Sequence, residues 1–144
     1  MTVSIPPQAD GVEYRVVQEA LGLVVREREG AIRAIREVIS FRFEREDGGD
    51  LPSRFDPPAE ARVVYTPADW RSKRAKEQER RAREGRPAPR KRDIKLELRK
   101  YNPGTQEWDP FPRFERVADE ETPDLGGLGV VKIEDPGDPR IGWY

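Results

Sequence analysis

The chain has 144 residues and a formal net charge of −1; 38% of its residues are charged and only 35% are hydrophobic. This length fits a single domain, and the polar composition predicts a core that is small or completed by neighbouring subunits. The sequence contains no Cys and no His. Disulfide frameworks, thiolate zinc sites and nucleophile systems that need a histidine base are therefore excluded.

The sequence shows no hydrophobic run long enough for a membrane span and no secretory signal peptide. We therefore expect a cytoplasmic or virion protein that has no membrane partner. Arg outnumbers Lys, while Asn, Ser and Gln are scarce. That pattern is typical either of a heat-adapted source or of a GC-rich genome, and the composition does not separate the two.

The N-terminal half contains several β-prone segments. Residues 1–11 include Pro6 and Pro7 and are interpreted as an extended N-terminal arm. Alternation of apolar and polar residues predicts strands at 12–16 and 38–45, and 23–26 is a further β-prone run. A short helix or turn is expected at 31–37, and a short strand is expected at 62–65.

A capped helix is predicted at about residues 67–84. Thr66 is a good N-cap, Pro67 suits the first helical position, and Asp69 completes a near capping box. Gly85, followed by Pro87, supplies the stop. Residues 70–92 contain eleven Lys and Arg and three Glu, a local net charge of +8. A helix that is polar all round bridges solvent, lies against a partner or depends on ion pairs.

A hairpin is predicted at about residues 93–108. Ile94, Leu96 and Leu98 alternate with charged residues, and a Pro-Gly turn at 101–105 leads to a return strand that holds Trp108. Phe114 and Val117 are expected to extend this strand. The segment 130–133 is expected to form one more strand.

The last segment is acidic. Residues 115–144 carry eight acidic and three basic side chains, and we interpret 119–144 as an acidic C-terminal arm. Its Trp143 and Tyr144 are candidate anchors for a partner; the alternative is that they pack on the domain's own sheet. The acidic segment could also pair with the basic helix, either within one copy or between copies.

These elements predict one α+β domain at residues 12–118. It would have a small antiparallel or mixed β-sheet, one long exposed basic helix, and extended Pro/Gly-rich N- and C-terminal arms. No cofactor or metal is expected, because the glycines at 126–129 lack the Lys and Ser/Thr of a phosphate-binding loop and no EF-hand spacing is present.

The candidate binding residues are the arginines of the helix and of the segment after it. They are Arg71, Arg74, Arg80, Arg81, Arg83, Arg86, Arg90 and Arg92. Such side chains could neutralise nucleic-acid phosphates or meet an acidic protein surface.

We expect a non-enzymatic structural or interaction subunit of a larger assembly. A bacteriophage head, connector or tail accessory protein is the concrete version of this hypothesis. Its partners would be other protein subunits with an acidic surface, and a homo-oligomer is possible. The alternative is a nucleic-acid-associated or RNA-polymerase-binding accessory protein that acts through the basic helix.

Overall fold

The computed structural model describes residues 1–23, 38–137 and 140–144. This part of the chain forms nine strands and one α-helix, so the predicted α+β class is confirmed. In chain order the elements are β1 (Thr2–Ser4), β2 (Tyr14–Leu23), β3 (Val38–Arg45), β4 (Ala59–Tyr65), α1 (Pro67–Arg83), β5 (Leu98–Asn102), β6 (Glu107–Pro110), β7 (Phe114–Val117), β8 (Gly127–Ile133) and β9 (Arg140–Trp143). Short 3₁₀ helices occupy Lys91–Asp93 and Pro123–Leu125.

The strands form two antiparallel sheets, whereas the sequence predicted one. The four-stranded sheet has the order β1-β4-β8-β7, and the five-stranded sheet has the order β2-β3-β9-β5-β6. Pro110 ends β6, and Pro112 follows before β7 begins in the other sheet. Because proline has no N–H to donate to a ladder, these two residues end the pairing of β6 and let the chain cross between sheets.

Both ends of the chain contribute strands to these sheets. β1 pairs with β4 at an edge, and β9 lies between β3 and β5, with Ile141 opposite Ile39 and Trp143 opposite Leu98. The segment 119–144, expected to be an arm, thus supplies β8 and β9. Burial of Val131 and Ile141 favours this arrangement over an extended acidic tail.

The core lies between the two sheets. Inward and outward residues alternate along β4: Ala61 and Val63 are buried, whereas Arg62 and Val64 are exposed. The largest fully buried side chains come from both sheets and from the connecting loops; they include Trp143, Tyr65, Phe41, Phe55, Leu96 and Leu98. Both sheets therefore contribute one apolar face to a shared interior.

Local predictions agree with the structure to different degrees. The strand at 38–45 is β3, and the expected hairpin is β5 and β6. Its first ladder begins only at Leu98; Ile94 and Leu96 are buried but belong to no strand. The expected helix or turn at 31–37 and most of the run at 23–26 lie outside the described residues.

Candidate functional site

Helix α1 begins with the predicted capping box. The hydroxyl oxygen Oγ1 of Thr66 accepts a hydrogen bond from the Asp69 backbone N–H at 3.2 Å, and Oδ2 of Asp69 accepts one from the Thr66 backbone N–H at 2.8 Å. At the other end, Gly85 has a φ of 68°, and the Arg86 N–H donates to the carbonyl of Arg81 at 2.8 Å. Both helix ends therefore have hydrogen-bond partners, which fixes where α1 begins and ends.

One side chain anchors α1 to the body of the protein. Trp70 is 2% exposed, and Asp69 and Trp70 are the buried residues of the helix. Further along, Lys73, Glu77 and Arg81 are partly buried at helical spacing below Trp70. The inner stripe of α1 is thus one aromatic followed by charges, and the remaining side chains of the helix are exposed to solvent.

Arg81 is a structural member of this inner stripe. Its side chain is 15% exposed and makes ion pairs with Glu77 at 3.3 Å and Asp93 at 3.6 Å. Asp93 directly follows the basic strap, which we define as residues 85–92. Through Asp93, Arg81 therefore links the helix to the end of the strap. Two carboxylates already neutralise its charge.

The charges on this stripe shift one another's pKa values. Burial alone would raise the pKa of Glu77, but hydrogen bonds from Arg80 and Arg81 outweigh it and lower the pKa below its ordinary value. Burial lowers the pKa of Lys73, an effect that the nearby Glu77 and Glu97 partly offset. A carboxylate held by two guanidinium groups stabilises the attachment of the helix while it stays ionised.

Four further arginines of the predicted site pair with carboxylates on the same surface. Arg80 bonds Glu77, Arg83 bonds Glu79 at 2.7 Å, Arg86 bonds Glu84 at 3.2 Å, and Arg90 bonds Asp93 at 3.4 Å. At least half of each of these arginine side chains is exposed. The carboxylates of Glu77 and Asp93 are partly buried, whereas the pairs Arg83–Glu79 and Arg86–Glu84 are exposed on both sides. Exposed pairs of this kind contribute about 0–1 kcal/mol, so a partner can displace these two at low cost.

The remaining three arginines of the predicted site differ from the others in their contacts. Arg71, Arg74 and Arg92 are exposed, and within the described part of the chain no carboxylate forms an ion pair with them. The guanidinium of Arg74 lies 5.7 Å from the centroid of the Trp70 ring, which holds its stem against the helix. The sequence predicted all eight arginines as binding residues, but the structure divides them by their contacts.

The basic and acidic segments approach each other within one copy. Lys91 in the strap pairs with Asp124 at 3.3 Å. An open cleft of about 850 Å³ separates the strap from the acidic turn at residues 119–121, with Arg116 also on its lining. Acidic residues of the same copy therefore partly neutralise the strap. Arg92 lies on the strap side of the cleft.

Trp143 and Tyr144 lie in the protein's own core, which is the alternative that the sequence left open. They are 1% and 2% exposed. The backbone of Tyr144 exchanges two hydrogen bonds with Glu97, at 2.8 and 2.9 Å, and Trp143 packs edge-on against Tyr65. Neither aromatic side chain is accessible to a partner, because burying them between the strands removes more apolar surface from water than an exposed tail could.

The described residues contain neither a candidate metal site nor a candidate membrane-spanning helix. These residues contain no group of three or more His, Cys, Asp or Glu side chains that could hold a metal ion. No helix of the described chain is long and apolar enough to cross a membrane.

Comparison of the chain with protein-family models, with curated proteins and with solved structures gave no match.

Proposed function

We propose that this protein is a non-enzymatic interaction subunit of a larger assembly, and that it docks on an acidic protein surface through α1 and the basic strap. The observation that carries the proposal is the position of Arg71, Arg74 and Arg92. Arg71 and Arg74 lie on the capped, anchored helix and Arg92 ends the strap; no carboxylate among the described residues forms an ion pair with these three side chains.

An acidic protein surface fits this site better than a nucleic acid does. Glu77, Glu79 and Glu84 are interspersed with the arginines and interrupt the row of cations that a continuous phosphate backbone would need. The carboxylates of a folded partner can instead be spaced to meet the arginines alone. Binding of single strands also needs aromatic rings on which bases can stack. Trp70 is the one aromatic residue of α1 and the strap, and it is buried.

The proposed surface is suited to fast, salt-sensitive docking. Complementary charges raise the association rate and select the partner more than they raise affinity. The exposed pairs Arg83–Glu79 and Arg86–Glu84 can exchange their carboxylates for those of a partner, while Arg81 and Trp70 keep the helix in place. We predict that the larger assembly is a bacteriophage virion, of which this protein would be an accessory component.

The test compares two polyanionic probes. Fluorescently labelled polyglutamate and a DNA oligonucleotide of equal charge are titrated with nuclease-treated protein, and anisotropy is measured at several salt concentrations. We expect tighter binding of polyglutamate. Joint replacement Arg71→Glu, Arg74→Glu and Arg92→Glu should weaken that binding about tenfold or more, because like charges then face each other.

A matched variant reverses three exposed arginines elsewhere on the surface: Arg15→Glu, Arg42→Glu and Arg54→Glu. It changes the net charge equally and should bind polyglutamate as the wild type does. Tighter binding of the oligonucleotide, with a steep salt dependence, would instead support the nucleic-acid alternative. Binding of neither probe, or equal loss in both variants, would overturn the proposal.

A further inference from the structure

The outer face of the four-stranded sheet carries an exposed apolar row at one end. The ladder places Val64 of β4 opposite Leu128 of β8, and Leu128 opposite Val117 of β7. Val64 is 56% exposed and Val117 is 51% exposed. Leu125, which is 68% exposed, lies two residues before β8 begins. These residues include three of the five exposed large hydrophobic side chains of the described chain.

This row is on the outer face because the inner face is occupied. Val63 precedes the outward Val64, Val131 follows the outward Val130, and both are buried in the core. Gly129, the inward neighbour of Leu128, lies against Trp143. Since side chains alternate along a strand, Val64, Leu128 and Val117 project away from the sandwich. Exposed apolar groups collected in this way mark interaction surfaces.

The next two rows of the same face are charged in a regular order. Arg62, Val130 and Glu115 form the second row across β4, β8 and β7. In the third row, Glu60 is opposite Lys132, and the Lys132 N–H donates to the carbonyl of Arg113 at 3.4 Å.

The sign of the charge therefore reverses from one side of β8 to the other. On the β4 side, Arg62 and Glu60 bond each other at 3.0 Å. On the β7 side, Glu115 and Arg113 have the opposite order of charges and no ion pair with any described residue. In the second row, and at the two outer positions of the third row, each residue is opposite in charge to the residue at its mirror position. Lys132, at the centre of the third row, is its own mirror position and is paired with Glu60 of the same copy at 3.0 Å.

A two-fold axis parallel to β8 matches these rows. Such an axis lays β4 of one copy over β7 of a second copy and keeps each row opposite itself. Arg62 then faces Glu115 of the second copy, Glu60 faces Arg113, and the apolar row covers its own equivalent. Lys132 faces its own equivalent near the axis, where Glu60 of the same copy neutralises it. A two-fold axis perpendicular to β8 would instead lay the apolar row on the charged third row.

We propose that the outer face of the four-stranded sheet binds a second copy of this chain in this face-to-face arrangement. The contact is isologous, because residues on one side of β8 meet those from the other side in both directions. Sheets pack face to face about 10 Å apart with nearly aligned strands, which suits an axis along β8.

The size of the face predicts a reversible dimer. The three strands that overlap in this arrangement, β4, β8 and β7, are about 4.8 Å apart and about six residues long, so they cover roughly 300 Å². A standard stable interface buries about 800 Å² on each partner. We therefore expect a concentration-dependent dimer. This proposal is independent of docking through α1, because the two surfaces share no residue.

The test is the solution mass of the full chain by sedimentation equilibrium, from micromolar concentration to about 1 mM. We expect the average mass to rise from one copy toward two. Val117→Lys should keep the protein monomeric across this range, because it places a charge in the apolar row. Each variant is checked by circular dichroism and thermal unfolding, and an exposed position on an edge strand should tolerate the change.

A charge swap tests the proposed axis. Glu115→Arg should raise the dissociation constant about tenfold or more, since it sets a second guanidinium group against Arg62 in both halves of the contact. Adding Arg62→Glu should restore dimerisation by exchanging the two signs. Arg71→Glu on α1 is the matched control and should leave the mass unchanged.

Two results would overturn the proposal. One is a wild-type protein that stays a monomer at the highest concentration. The other is a dimer whose dissociation constant does not respond to Val117→Lys or to Glu115→Arg, because that dimer would use another surface.

Discussion

The indole ring of Trp143 lies against the backbone of Gly129, so closely that a Cβ added at Gly129 would be 2.5 Å from Cη2 of Trp143. The two residues belong to different sheets: Trp143 is in β9 and Gly129 is in β8. The same added carbon would be 2.8 Å from Cδ1 of Leu98. The absence of a side chain at position 129 therefore lets the largest buried residue fill the space between the sheets.

Gly129→Ala should consequently destabilise the fold. Overpacking of a filled core typically costs about 1–3 kcal/mol, and we expect a loss of free energy of unfolding in that range, measured by urea denaturation. The loss should be smaller when Gly129→Ala is introduced into Trp143→Phe, because the smaller ring leaves room for the methyl group. Equal losses in both backgrounds would contradict the direct contact.

Trp70 should control the attachment of α1. Trp70→Ala removes the aromatic anchor, and we expect it to cost about 3–5 kcal/mol and to speed amide hydrogen exchange across the helix. Trp70→Phe should cost much less. Its ring still fills most of the pocket, and the buried indole Nε1 that it removes has no hydrogen-bond partner among the described residues. Similar losses in both variants would show that packing of the larger ring dominates.

The charged inner stripe of α1 should give an acid-sensitive contribution to stability. Because the pKa of Glu77 is lowered in the folded protein, its ionised form stabilises the fold at any pH above the ordinary value of 4.5. This contribution is lost as the pH falls from 4.5 through the lowered pKa of the folded state. Glu77→Gln should therefore lower the melting temperature at pH 7, and the difference from wild type should shrink below this window.

Glu79→Gln is the control for the acid experiment. Glu79 pairs with Arg83 on the solvent side, and its side chain is 68% exposed. Its replacement should change the melting temperature little at any pH, because exposed pairs contribute about 0–1 kcal/mol. A pH-dependent difference as large as that of Glu77→Gln would contradict the assignment of the effect to the inner stripe.

The proposed face-to-face dimer and the proposed docking through α1 can occur in the same assembly. The docking proposal rests on cations that lack carboxylate partners among the described residues, whereas the dimer proposal rests on the order of residues across three strands. The signal for the second surface is present in the sequence as Arg62, Val64, Glu115, Val117 and Leu128. This surface can be recognised only when the strand register places these residues in rows.

Local signals were sufficient for some elements. The start of α1 follows from Thr66, Pro67 and Asp69, which satisfy the first backbone donors without help from the rest of the fold. The β5–β6 hairpin follows from its Pro-Gly turn, and β3 follows from the alternation through Phe41 and Phe43. For α1 and the hairpin, the interactions that define the element join residues close in the chain. For β3 the apolar pattern is local, but the strand pairs with β2 and β9, which are distant in the chain.

The sequence by itself determined the charged helix with its caps, the hairpin and the α+β class. The tertiary structure decided that the strands form two sheets, that β9 lies between β3 and β5, and that Trp143 and Tyr144 are core residues. It also decided which arginines are already held by carboxylates. The physical reason is that capping, turn formation and most ion pairs along α1 are local, whereas strand pairing and burial depend on residues that are distant in the chain.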